Sequence, residues 1–261
     1  MKKSAKDEII AGLCATGLCA LANTVQKVLH NQDSLPPIIG LPFRSTSLYA
    51  LIAARHLKTM YQEIADEVAD SDHGSHILDL AAGLGYLEIE FASRDEHTTA
   101  VGLDSTPELV RMARTNALAA KSRHNIHFTV GTPSDLPFPG RYFDLVVSPN
   151  ILGHWPTTSD VFDEVFHVLG PGREFWIYDY RPNVPKEVWT EAEMHLPVYL
   201  RVPFAVGPVN AAKSSPNQDE LLKSAQESRF EVASVEDRTF TLFGLKMPVF
   251  TRITLRKPAA G

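Results

Sequence analysis

The rhythm of hydrophobic and polar positions changes near residue 70. Before it, apolar residues recur at helical spacing. Residues 5–30 read as one mostly apolar helix, and Thr46 to Ala69 as a second. In the second, Leu48, Leu51, Ile52, Leu57, Ile64 and Val68 mark the apolar positions and Ser45 stands where a cap is needed. Pro36, Pro37, Gly40 and Pro42 make the stretch between them a loop or hinge. Beyond residue 70, short apolar runs alternate with helical segments. Strands are expected at 76–80, 98–103, 126–130, 143–148 and 174–179, and helices at about 86–94, 106–121 and 159–169. Such alternation builds βαβ units and a parallel sheet covered on both faces. Regularity lapses over residues 182–216, which hold six prolines and one expected helix near 187–196. A helix at 219–228 and strands at 230–237 and 248–256, joined around Gly244, close the pattern. The predicted fold is α/β: a doubly wound, seven-stranded, mostly parallel sheet with an antiparallel C-terminal strand pair, preceded by an N-terminal helical extension. Residues 1–70 form the extension, or lid, and 71–261 the main domain, with 182–216 as its substrate-facing insert.

Composition narrows the class. The chain has 261 residues, 44% hydrophobic and 21% charged, enough for one packed domain with additions. Its net charge of −6 advertises no basic surface, which disfavours nucleic acid as the main partner. The two cysteines, Cys14 and Cys19, share one apolar segment and form neither a metal-ligand pattern nor a disulfide framework. Buried reduced thiols and a cytoplasmic location are the expectation. The run from Ile9 to Ala22 ends Ala20-Leu21-Ala22 and has the outline of a signal-peptide core. Asp7 and Glu8 stand directly before it, where positive charge is wanted, and the run is too short to span a bilayer. A buried or lid-forming helix, or one packing on a partner, is the reading taken; a homodimer through the N-terminal helices is one such arrangement.

The most informative stretch is His76-Ile77-Leu78-Asp79-Leu80-Ala81-Ala82-Gly83-Leu84-Gly85-Tyr86. A strand ends near an acid, a small-residue turn follows, and an apolar-patterned helix begins, so backbone N–H groups face a ligand site. A side chain at Gly83 or Gly85 is expected to stand where a ligand approaches the backbone. An ordinary βα turn needing positive φ accounts for the same glycines. Three nucleotide-type readings compete. A P-loop needs Gly-x-x-x-x-Gly-Lys-Ser/Thr, and no such run exists. A dinucleotide turn wants a third small residue, and counting from Gly83 that position is Glu88, whose charge is expected to face and repel a pyrophosphate. A cofactor without a pyrophosphate remains. Asp104 ends the second strand 19 residues after Gly85, where a carboxylate accepts from both hydroxyls of a ribose. It also stands where a helix N-cap belongs, and the two roles are compatible.

These residues resemble a family. Ile77 to Gly85, with Val101-Gly102-Leu103-Asp104, is similar to the first two motifs of class I S-adenosylmethionine-dependent methyltransferases, which have a Rossmann-like fold. Val130-Gly131-Thr132-Pro133-Ser134-Asp135-Leu136-Pro137-Phe138 resembles the loop after the third strand, and Phe143 to His154 the fourth strand with its loop. Val161 to Gly172 resembles the helix and Leu-x-Pro-Gly turn before the fifth strand. The likeness covers about residues 60–180 and is nearest the quinone-biosynthesis and small-molecule branch. It implies S-adenosyl-L-methionine as cofactor. Asp79, Ala81, Gly83, Gly85 and Tyr86 would border its methionine part, Asp104 its ribose, Ser105, Thr132 and Pro133 its adenine, and Asn150 would close the site near the methyl. The chain departs from the pattern at Ala81, where the family has glycine, at Thr132, where it usually has an acid, and at Arg173, where a second glycine is common.

Methyl transfer from a sulfonium is an in-line displacement, so holding nucleophile and methyl collinear in a dry site supplies much of the rate. His154 is the first candidate for a base; a histidine bonded to backbone in the turn is the alternative. Asp179 either orients a substrate or caps a turn, and Glu193 and His195 are read as solvated surface. Phe43, Tyr49, Trp189, Tyr199 and Phe204 either wall an apolar pocket or pack as core. The expected activity is methylation, at oxygen or carbon, of a small, largely apolar organic acceptor. Two alternatives stay open: a non-methyl-transfer reaction using the same cofactor, such as a cyclisation or decarboxylation, and a non-catalytic partner subunit.

Overall fold

The computed structural model describes residues 57–120, 125–149, 158–181, 183–197 and 218–259, with positions 200, 201, 204, 208, 209 and 212. The order of elements is α1 (Lys58–Ala69), β1 (His76–Leu80), α2 (Tyr86–Arg94), β2 (Thr99–Asp104), α3 (Pro107–Ala119), β3 (Ile126–Val130), β4 (Phe143–Pro149), α4 (Thr158–Val168), β5 (Leu169–Tyr180), α5 (Lys186–His195), α6 (Gln218–Glu227), β6 (Glu231–Leu242) and β7 (Leu245–Arg256). The strands form one seven-stranded sheet in the order β3-β2-β1-β4-β5-β7-β6. The pairs from β3 to β5 are parallel, and β7 runs antiparallel to both its neighbours. This is the expected doubly wound sheet with its antiparallel C-terminal pair.

Strand periodicity sorts the core into two layers. In β1, Leu78 and Leu80 join Val101, Leu103, Val146, Phe162 and Ile177 on the face covered by α4 and α6. Ile77 lies on the opposite face with Leu87, Phe91, Leu145 and Val147, beneath α1 and α2. Because side chains alternate, Asp79 projects to the face of Ile77, the α2 side. The same count along β2 places Ala100, Gly102 and Asp104 on that face.

Helix α1 buries Met60, Ile64, Ala65 and Val68 on the sheet. Three acids tie it down. Asp66 receives Arg94 Nε of α2 at 2.7 Å. Glu63 accepts from the Thr241 amide and hydroxyl at 2.6 and 2.7 Å. Glu67 receives Tyr178 Oη, Arg238 Nε and Arg252 Nη1 at 3.1, 2.9 and 3.2 Å.

Two boundaries differ from the sequence expectation. β5 begins at Leu169 rather than 174, because Leu169 pairs with Phe143 and a register shift follows before Leu145. β6 and β7 are longer than expected and meet at a two-residue turn, Phe243-Gly244, with φ of 53° and 81°. Positive φ at both positions matches the twist of a two-residue hairpin.

Candidate cofactor site

The candidate site lies at the C-terminal edge of β1, β2 and β3. Between β1 and α2 the chain turns through residues 81–85, and three of the five stand at positive φ: Ala81 at 66°, Gly83 at 54° and Gly85 at 74°. Gly85 is the N-cap of α2. Neighbouring elements hold the turn. The Ala82 amide donates to the Leu103 carbonyl at 2.9 Å, the Gly83 amide to Asp104 Oδ2 at 2.9 Å, and Asn116 Nδ2 of α3 to the Leu84 carbonyl at 3.0 Å. The other Asp104 oxygen, Oδ1, accepts the Thr106 amide at 2.8 Å. One carboxylate thus orders both the glycine turn and the start of α3. The two roles read for Asp104 are joined in one side chain, although Thr106 is the formal cap of that helix.

Gly85 corrects an expectation. A Cβ there would meet Phe128 Cζ at 2.5 Å and Ala113 Cβ at 2.9 Å, so the absent side chain keeps clear of the protein's own core. The close approach that this missing Cβ permits is between α2, α3 and β3.

Glu88 is a second correction. It does not face the turn's outer side. It is wholly buried in the first turn of α2, and its Oε1 occupies the space a Cβ on Gly102 would need. Gly102 pairs with Asp79 in the β1–β2 register, so two carboxyl groups from adjacent elements share one dry volume. Asp79 is 2% exposed; its Oδ1 and both Glu88 oxygens lack a hydrogen-bond partner of ordinary geometry. Burial first, then the neighbouring charges of Glu88 and Asp104, pushes the Asp79 carboxyl well above the usual range. Burial likewise pushes Glu88 up to about 8, against the lowering effects of its own backbone N–H and of its hydrogen bond with Asp79. Sequence reading missed this pair because it turned Glu88 outward, towards a ligand's phosphates; the bare Gly102 was the available sign.

The remaining candidates sit around this centre. Tyr86 is half-buried at the start of α2, packed with Leu57, Leu109 and Met112 about Leu84. Ser105 is exposed directly after β2, and Thr132 and Pro133 follow β3, the adjacent strand. Thr132 Oγ1 lies 2.7 Å from Ser134 Oγ and accepts the Ser134 amide at 3.2 Å, so its hydroxyl serves its own turn. Asn150 and His154 lie outside the described residues, as do Phe43, Tyr49 and Tyr199. Trp189 packs on Tyr180 at 6.0 Å and Phe204 on Trp189 at 6.1 Å, and Phe204 is fully buried core. Asp179 Oδ1 accepts the Tyr180 amide at 2.6 Å, while Glu193 and His195 are exposed, as expected.

A methyltransferase domain family matches residues 71–232. The chain belongs to that family. Among relatives of known name, it is 32% identical over 129 residues to the erythromycin 3''-O-methyltransferase of Saccharopolyspora erythraea, covering 48% of this chain and 42% of that one. It is 27% identical over 122 residues to the ubiquinone/menaquinone biosynthesis C-methyltransferase of Stutzerimonas stutzeri, covering 46% and 48%. The match therefore spans about half the length of these relatives or less. A SAM-dependent methyltransferase structure from Aquifex aeolicus superposes with a TM-score of 0.60 at 13% identity, over 82% of this chain and 98% of the other, which shows the shared fold. For this methyltransferase-family chain, the fit to the family's cofactor rests on its own residues. The positive-φ turn and Asp104 stand together at the strand edge, and Asp79 carries a buried oxygen with no hydrogen-bond donor of ordinary geometry.

Proposed function

We propose that this chain binds S-adenosyl-L-methionine at the 81–85 turn and catalyses methyl transfer to a small, largely apolar organic acceptor. The observation that carries this reading is the grouping of Asp79, the positive-φ turn and Asp104 at one sheet edge, in a chain of the methyltransferase domain family. In this reading Asp79 lies below the cofactor's ammonium, Asp104 accepts from the ribose hydroxyls while still holding the turn, and Ser105, Thr132 and Pro133 flank the adenine. Asp104 is suited to this because each carboxylate oxygen accepts more than one hydrogen bond. Bound there, the cofactor supplies an electrophilic methyl on a sulfonium. The chain's part is to fix its orientation, keep water out and leave a cavity for the acceptor.

The named relatives act on small organic molecules, one at oxygen and one in quinone biosynthesis at carbon, which supports an acceptor of that class. Asn150 is assigned to closing the site and His154 to proton removal from an oxygen or acidic-carbon nucleophile. The test is isothermal titration with S-adenosylhomocysteine, followed by transfer of labelled methyl groups to a panel of small phenols, hydroxy-lipids and quinols. One-to-one binding and product formation are expected. No heat of binding would overturn the cofactor assignment, and binding without transfer to any acceptor would shift the reading to the non-transfer alternatives.

A further inference from the structure

Most of the charged groups outside the turn are accounted for by structure. Glu63, Glu67, Arg238 and Arg252 lock α1 to the sheet, Arg94 ties it to α2, and Lys257 donates to the Phe166 and Leu169 carbonyls, both at 2.6 Å. Glu88 is different. It is a fully buried acid whose oxygens meet no donor of ordinary geometry, and the side chain it hydrogen-bonds with is a second buried acid, Asp79, directly below the candidate cofactor turn.

Two carboxylates cannot both stay ionised in one dry volume, because desolvation and mutual repulsion add. The surroundings offer no cation. Among the described residues, the titratable groups acting on Glu88 are Asp79 from β1, through a hydrogen bond, and Asp104 from β2, through its charge, both acids. The other neighbours of the Gly102 gap are apolar: the Ala82 methyl of the turn and the Phe128 ring of β3. From α2 itself comes only the Glu88 backbone N–H, which favours the anion. A polar pair of this kind is retained at low cost only if it carries a proton or meets a cation.

We propose that Glu88 and Asp79 hold at least one proton between them in the ligand-free protein, and that a cationic ligand settling on the 81–85 turn releases it to solvent. Glu88 is then a positioning residue that couples cofactor binding to proton release and favours cations over neutral analogues. The balance is simple: one O–H bond of the carboxyl pair breaks, the proton passes to buffer, and the charge left behind pairs with the ligand's ammonium. The ligand's sulfonium adds to the local positive potential. This inference rests on the cofactor reading above and extends it to a residue that does not itself touch the ligand.

The experiment titrates the full chain at about pH 6.5 with S-adenosylmethionine and with S-adenosylhomocysteine, in buffers of different ionisation enthalpy. At that pH the α-amino group of either ligand, with a pKa near 8, stays protonated and releases little. The wild type is expected to release close to one proton per ligand, and its association constant to rise about tenfold for each unit the pH is raised towards neutrality. Glu88→Gln is expected to bind with a much smaller release and a nearly flat pH profile. Difference infrared spectroscopy on the wild type reads the same proton without a variant: a protonated-carboxyl band is expected to vanish on ligand addition. Binding heat without buffer dependence, an unchanged carboxyl band, or equal proton release in Glu88→Gln would each overturn the inference and leave the cofactor reading standing. Absence of binding by both ligands would overturn the cofactor reading and this inference with it.

Discussion

Ala81 holds a φ of 66°, a region that disfavours any side chain, at the first position of the turn. The left-handed conformation costs a non-glycine residue about 1–2 kcal/mol, whereas glycine's extra freedom in the unfolded chain costs about 0.4–1 kcal/mol. Ala81→Gly is therefore expected to be neutral or stabilising by up to about 1 kcal/mol in urea denaturation. Gly85→Ala at the other end is expected to lose about 2–4 kcal/mol, since it adds a clash with Phe128 and Ala113 to the same backbone strain. A destabilised Ala81→Gly or a tolerated Gly85→Ala would show that the turn is not strained as described. Glu88 gives a second residue-scale prediction. Unfolded, it ionises at an ordinary value of about 4.3; folded, burial pushes it up to about 8. Between those values the folded protein keeps a proton the unfolded chain has lost, so stability falls as pH rises, by at most about 1.4 kcal/mol per pH unit. Glu88→Gln removes that slope. Its stability relative to wild type is expected to climb from about pH 5 to about pH 8, and parallel curves would count against a protonated Glu88.

At the scale of elements, α1 is anchored chiefly through Glu67, whose carboxylate meets Tyr178, Arg238 and Arg252 at once. Glu67→Ala leaves a buried phenol and two half-buried guanidinium groups without that partner, and is expected to lose about 1–3 kcal/mol. Glu67→Gln keeps the polar atoms but not the charge and should lose less. If both variants melt with the wild type, the network contributes nothing to holding α1. The sequence made most of these elements legible because each strand is a short apolar run bounded by turn residues. β1 and β3 match their expected bounds, and β2 and β4 lie within a residue. It misplaced the start of β5, where Gly170-Pro171-Gly172 reads as a turn yet continues the strand, and it ended β6 and began β7 short of the hairpin it had placed at Gly244, because Phe243 at positive φ is no turn signal. The candidate site was legible in its backbone half, the glycine turn and the strand-end acid. The Glu88–Asp79 pair was not, since its cause is a missing side chain at Gly102, adjacent only through strand pairing.

The whole molecule carries one further consequence of its strand order. β7 lies between β5 and β6, so the strand made last of the seven fills a place in the sheet's interior. Synthesis from the end of β5 at Tyr180 to the end of β7 at Arg256 covers 76 residues, which takes roughly 4–15 s at typical elongation rates. For that time β5 presents an open row of amides and carbonyls flanked by Phe175 and Ile177, a template for pairing with another nascent chain. A chain stopped after Leu242 makes that condition permanent. It is expected to aggregate on release, measured as light scattering and loss of soluble material, and a monodisperse fragment would refute the hazard. The antiparallel ending therefore makes the nascent protein depend on shielding until its final strand arrives.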